Sequence, residues 1–269
     1  MNTIRLFLSL AIILVTILAP GCKKSSRPAG MPPLEWENRP ACAFAMPVPF
    51  GRWYKDSINV YFDFGQVYTH PGVTAPSYML PMVSRAVRNQ YDAWQARHGD
   101  LLPDTRLTEN IADADVVIYI YYDPYTRGAS SLTATDLLRI VTPDEVKSVS
   151  STHRELPPQG ANYNACVFPV VKRGVIYGAA CAINGAACEH YIQYPAAQTL
   201  LDGFYLNVGN HEQGHWQLGF DDDRYGTIAS LMCYHAMTQW PTECDLSVSN
   251  YCTAWLHKTR QTSGIDCGT

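Results

Sequence analysis

His211 to Asp223 reads HEQGHWQLGFDDD. Two histidines stand four apart, a glutamate follows the first directly, and three aspartates follow a glycine. On a helix, four residues is close to one turn, so both imidazoles share a face, one above the other. Imidazoles so placed can bind one divalent cation, with zinc–nitrogen distances of about 2.0–2.1 Å. Glu212, one residue round the helix, lies beside such an ion rather than on it, where a carboxylate can take a proton from an attacking water. A hydrolytic metal site is one reading of the stretch. A polar helix ending in a solvated acidic loop is the other, and because the short pattern also arises by chance, its surroundings must decide.

The surroundings favour the metal. Leu201, Phe204, Val208, His211, His215 and Leu218 recur at threes and fours, which predicts a helix from about 199 to 218 with both histidines on its apolar stripe. Buried histidines need polar partners, and one cation serves both. Gly219 follows Leu218 as a left-handed cap, so the chain turns back carrying Asp221, Asp222 and Asp223. One of these carboxylates as third ligand would close three corners of a tetrahedron and leave the fourth for water. The only glutamate after Glu212 is Glu243, in the loop-like WPTECD, which disfavours a carboxylate from a later helix. His235 and His257 are the remaining outside candidates.

Ser230-Leu231-Met232-Cys233-Tyr234 lies shortly after the acids. HExxH, a glycine, a close third ligand and an S-x-M-x-Y turn together resemble the metzincin zinc peptidases. The resemblance is sharp over 211–234 and loose over most of 57–260. The usual spacing puts glycine three residues after the second histidine and a third histidine three after the glycine. Here Gly219 is four after His215 and an aspartate stands in the histidine's place, which is similar to the snapalysin branch. Three residues from Gly219 is Asp222; six from His215 is Asp221. One extra residue before the cap shifts the cap and every later position together, so Asp222 is the expected ligand and Asp221 the alternative.

The resemblance implies Zn2+ as cofactor on His211, His215 and Asp222, with Glu212 as general base. It implies Met232 as a hydrophobic floor under the ion and Tyr234 as a group approaching the metal or the oxyanion; the plainer role for Tyr234 is a core tyrosine with a satisfied hydroxyl. It also implies an edge strand near 166–177 or 189–194, along which an extended peptide adds as a further strand. Cys233 is expected in a disulfide, since a thiolate beside the ion would make the site a closed, structural one. A carboxylate in place of a third imidazole makes the centre less positive and blunts its Lewis acidity. The implied function is that of a monomeric metalloendopeptidase acting on protein or peptide substrates. The alternatives are a zinc-holding protein that binds peptides without cutting them, and a zinc amidase acting on cell wall. Glu212 favours hydrolysis, because a structural site needs no base.

The elements that must position these groups are legible upstream. Residues 57–64 (SINVYFDF) alternate, with Ile58, Val60, Phe62 and Phe64 on one face of a strand. Residues 81–98 carry Val83, Val87, Tyr91 and Trp94 on one stripe between Pro81 and Gly99, a helix with its start and stop. Asp115 to Tyr122 (DVVIYIYY) is β-branched and aromatic, a second strand. Strand, helix, strand predicts a parallel pair with a crossover helix. Residues 123–165 read as an insertion with helical pieces at Thr133–Arg139 and Pro143–Val149. Strand-like pieces return at Cys166–Tyr177 and Glu189–Tyr194. The expected class is α+β: a small mixed sheet, a backing helix, an active-site helix and an irregular, disulfide-bonded C-terminal lobe, with lobes at about 51–218 and 219–269.

The chain has 269 residues, 47% hydrophobic and 16% charged, with a net charge of −4. That suffices for one globular domain, at 51–269. Without a basic patch beyond Lys23-Lys24 it offers nothing to nucleic acid. Leu6 to Leu18 is almost unbroken apolar sequence after Arg5, the length of a signal segment rather than a spanning helix. Ala19-Pro20-Gly21-Cys22 resembles a bacterial lipoprotein box, although Pro20 departs from the usual small residue. The expectation is a signal peptide at 1–21, a lipid on Cys22, a Pro- and Ser-rich tether at 22–50, and an exported protein held on a bacterial membrane, at the outer membrane or cell surface. Plain secretion is the alternative. Of nine cysteines, the eight after Cys22 read as a disulfide set. Asn184-Gly185 in CAINGAAC reads as a two-residue hairpin turn that would set Cys181 opposite Cys188.

Overall fold

The computed structural model describes residues 51–98, 103–124, 154–160, 163–172, 175–220 and 232. The class is α+β. A short strand β1 (Arg52–Trp53) precedes β2 (Ser57–Thr69), helix α1 (Met79–His98), β3 (Asp104–Leu107), a single 3-10 turn (Ile111–Asp113), β4 (Val116–Tyr122), β5 (Ala165–Lys172), β6 (Val175–Asn184), a short helix α2 (Ala187–Tyr191) and α3 (Ala197–Trp216).

The strand–helix–strand unit forms as its pattern dictates. Ile58 and Val60 are fully buried on one face of β2, with Phe62 and Phe64 packed beside them. β2 and β4 pair in parallel, Val60 against Val116, and α1 makes the crossover. The helix starts two residues before Pro81, which leaves the proline in the first turn, where its missing N–H has no partner to lose. β3 and β6 extend the parallel sheet on either side of the β2–β4 pair, β1 adds two parallel pairs at the start of β6, and β5 lies antiparallel along β6. Among the described residues β5 pairs with β6 alone, at the edge of the described sheet.

β4 is buried on both faces. Val116, Ile118, Ile120 and Tyr122 face the core under the three helices, with Val83, Val87 and Tyr91 of α1 and Leu201, Tyr205 and Val208 of α3. Val117, Tyr119 and Tyr121 face a second, smaller core with Cys166, Phe168 and Ala182. Residues 154–160 lie over that second face. The Tyr119 hydroxyl donates to the Glu155 carbonyl, Arg154 pairs with Asp63 at 2.6 Å, and the Gly160 N–H donates to Asp123 Oδ2 at 2.6 Å.

Three expectations are corrected. Asn184-Gly185 makes no hairpin: β6 runs through Asn184 and the chain turns into α2. The Asn184 amide donates to the carbonyls of Asp123 (3.3 Å) and Tyr163 (2.9 Å) and accepts from the N–H groups of Asp123 (3.3 Å) and Ala186 (3.0 Å). The Gly185 N–H carries the ladder one step further, to Tyr121 O at 2.7 Å. These distant partners hold Asn184 in line with β6, so the turn after it leads into α2 instead of back along the strand, and tertiary contacts override the hairpin signal. Cys188 therefore stands on α2, its Sγ 3.7 Å from Met82 Sδ, not opposite Cys181. Cys166, Cys181 and Cys188 are free, buried thiols, so the eight cysteines after Cys22 do not all pair. Cys166 and Cys181 sit in the cores on opposite faces of the sheet. The strand expected at 189–194 is likewise α2 and a following turn, leaving Ile192 and Tyr194 exposed rather than packed on a sheet face. The helical pieces expected at 133–139 and 143–149, the signal segment, the tether and most of the C-terminal lobe lie outside the described residues.

Candidate metal centre

α3 is ordinary in its first half and unusual in its second. Up to Asn207 it alternates buried and solvent-touching residues; from Val208 to Trp216 every residue is buried. That run holds the HExxH stretch. His211 is 9% exposed, Glu212 5% and His215 3%. A helix end carrying this much polarity out of water needs assigned partners on every side.

The end of α3 is fixed by backbone. Gly219 adopts φ 72°, the left-handed conformation expected of a cap glycine. Its N–H donates to His215 O at 3.1 Å, and the Phe220 N–H donates to Gly214 O at 3.1 Å. A Cβ on residue 219 would fall 1.9 Å from the Gly51 carbonyl oxygen, so this turn is closed against the backbone that enters β1. The Trp53 indole N–H donates to Trp216 O at 2.7 Å, a second tie between the same two segments.

This turn orients a histidine. His215 Nδ1 lies 2.6 Å from the Phe220 carbonyl oxygen. A carbonyl only accepts, so Nδ1 carries the hydrogen and Nε2 is the nitrogen whose lone pair can bind an ion. That is the arrangement typical of a metal-binding histidine held by its second nitrogen. The His211 ring stands edge-on to it, centroids 4.8 Å apart and planes at 89°, close enough for one ion bonded at about 2.0–2.1 Å to reach both. The residues present thus fit a zinc ion.

Glu212, next to His211 in the chain, is buried as well. Burial first, and its carboxylate second, push the Cys166 and Cys181 thiols well above their ordinary range; the Tyr121 hydroxyl is raised by burial with Glu212 contributing. Its charge is therefore felt at the junction of β4, β5 and β6. His215 is thus bonded into the turn, with the His211 ring against it and Glu212 buried between them in sequence.

Met232 is fully buried. Asp221, Asp222, Tyr234, His235 and His257 lie outside the described residues. Among the described residues no three His, Cys, Asp or Glu side chains gather around one point; the pair His211 and His215 is what the structure brings together.

Sequence reasoning missed the amides. The opposite face of α3 carries Asn210 and Gln213, and its C-cap is Gln217; all are buried and bonded to Gln90 and Trp94 of α1. Their spacing of three and four along a buried helix, matched by Gln90 and Trp94 four apart on its neighbour, was the available signal. In comparisons with known proteins, no family model and no curated protein matches the chain.

Proposed function

We propose that the protein is an exported, zinc-dependent metalloendopeptidase of the metzincin kind, nearest in pattern to the snapalysin branch. The observation that carries this reading is the His215 ring, fixed through Nδ1 on the Phe220 carbonyl and edge-on to His211 beside a buried Glu212. In this reading α1 is the backing helix and α3 the active-site helix, while β5 is the edge along which substrate lies extended.

His211, His215 and Asp222 hold the zinc, with Asp221 as the other candidate for the third position. When bound, the ion makes water acidic near neutral pH and polarises the scissile carbonyl. Glu212 takes the proton of the attacking water and delivers it to the leaving amine. Tyr234 and backbone amides of β5 steady the charge that develops on the carbonyl oxygen. Burial around Glu212 strengthens each of these interactions relative to water. The substrates are proteins or peptides, the protein acts as a monomer, and a lipid on Cys22 holds it on the membrane.

Glu212→Ala tests the reading. Casein hydrolysis is expected to fall on the order of 10²–10⁴-fold while one zinc per chain remains by metal analysis. His215→Ala should lose the zinc as well. A variant lacking Glu212 that still cleaves casein at the parent rate overturns the mechanism. Parallel digestion of protein and peptidoglycan separates a peptidase from a cell-wall amidase, and zinc analysis of Asp221→Ala beside Asp222→Ala identifies the third ligand.

A further inference from the structure

The buried amides behind HExxH form a continuous chain. Trp94 Nε1 donates to Gln217 Oε1 at 2.9 Å, and Gln217 Nε2 donates to Pro103 O at 3.0 Å. Gln213 Nε2 donates to the same Gln217 oxygen at 2.8 Å. Gln90 Nε2 donates to Gln213 Oε1 at 3.1 Å and to Asn210 Oδ1 at 2.8 Å.

The direction of every bond is determined. An indole N–H only donates and the Pro103 carbonyl only accepts, so Gln217 must present oxygen to Trp94 and nitrogen to Pro103. Gln213 must then give its N–H to Gln217 and keep its oxygen for Gln90. Gln90 uses both hydrogens of its amide on α3. Flipping any one amide breaks the order of the rest.

Gln90 also sits on bare backbone. A Cβ at Gly209 would lie 2.6 Å from Gln90 Cδ and Oε1, so glycine at 209 is what lets the amide reach across. Asn210, Gln213 and Gln217 recur at three and four, along one row of α3, while His211 and His215 lie on another row of the same rigid cylinder. Any rotation of α3 about its axis moves both rows together.

We propose that Gln90 is a positioning residue for the metal centre: the amide chain it heads fixes the rotation of α3 about its own axis and thereby the bearing of His211 and His215. The proposal rests on the zinc reading above. Apolar packing is non-directional, whereas hydrogen bonds weaken steeply once bent. An apolar seam of equal volume would hold α1 against α3 without the liability of unmet buried amides. What the amides add is angular definition of the helix that carries the ligands.

The test is Gln90→Met, similar in length but without donors, set beside Val83→Ala, a fully buried position of α1 outside the amide chain. Zinc affinity of the purified full chain is measured by competition with a chromogenic chelator, and thermal stability of the zinc-free protein in parallel. Gln90→Met is expected to weaken zinc about tenfold, while Val83→Ala loses stability with zinc affinity within about twofold of the parent. Trp94→Phe, which removes one donor at the far end, should weaken zinc about threefold and serves if Gln90→Met does not fold. Parent-like zinc affinity in the amide variants, or an equal loss in Val83→Ala, overturns the proposal. A parent chain that binds no zinc overturns the metal reading and this one with it.

Discussion

α1 and α3 are both twenty residues long and lie against each other, yet they bury different chemistry. α1 is amphipathic in the usual way: Met79, Val83, Val87, Tyr91 and Trp94 go inward, while Arg85, Asn89, Asp92 and Arg97 stay in water. α3 ends in nine consecutive buried residues, of which Asn210, His211, Glu212, Gln213 and His215 are polar. The first pattern stabilises a fold by removing apolar area from water, roughly 1.5–3 kcal/mol for each large side chain. The second gains little from burial and exposes the fold to a penalty of about 1–3 kcal/mol for each polar group left unmet. The sheet and α1 supply the stability that lets α3 keep a polar end out of water.

Three further measurements sharpen that contrast. The largest effect belongs to the turn that ends α3. Gly219→Ala is expected to lower unfolding free energy by about 3–4 kcal/mol, of which the left-handed conformation accounts for about 1–2 and the approach to the Gly51 carbonyl for the rest. Urea titration reads this, and a loss below about 1 kcal/mol would show that the turn relaxes freely.

The apolar end of α1 should respond to alkali. Cys188, against Met82, is raised from 9.0 to about 11, by burial first and by Glu189 second. The unfolded thiol ionises from pH 9 while the folded one stays neutral to about 11. This group's share of stability is therefore intact below pH 9 and is lost as pH rises through 11, about 2–3 kcal/mol across the window. Cys188→Ala should flatten that part of the stability–pH curve whatever it does to stability at neutral pH; an unchanged slope between pH 9 and 11 removes Cys188 from the account. The smallest effect is at the amide end. Trp94→Phe should cost about 1 kcal/mol at neutral pH, because Gln217 Oε1 keeps its bond from Gln213.

The parts of the molecule legible in the sequence are those in which one periodicity governs one element. The alternation at 57–64, the stripe at 81–98 and the apolar run at 115–122 correspond to β2, α1 and β4, and their parallel pairing followed from the order alone. The helix carrying HExxH and its glycine cap were readable for the same reason. What failed depended on partners distant in sequence. Asn184-Gly185 has the composition of a hairpin turn, but Asp123 and Tyr163 hold the asparagine. Counting thiols suggested pairing, whereas the alternation of strands puts Cys166 and Cys181 in cores on opposite sides of the sheet. The amides were overlooked because polar residues on a helix are ordinarily its wet face, and only the position of α1 reverses that. At the candidate metal centre the histidine pair was legible as a pair, while the Phe220 carbonyl that sets the His215 tautomer was not, since the turn that delivers it is known only once Gly219 is seen against Gly51.

The ties between Arg154 and Asp63 and between Gly160 and Asp123 bear on how the chain can be rebuilt. They moor residues 154–160 to β2 and to the residue just after β4. Any redesign of residues 154–160 must therefore keep the cation at 154 and a backbone N–H at 160, since losing either takes a donor from a part-buried carboxylate.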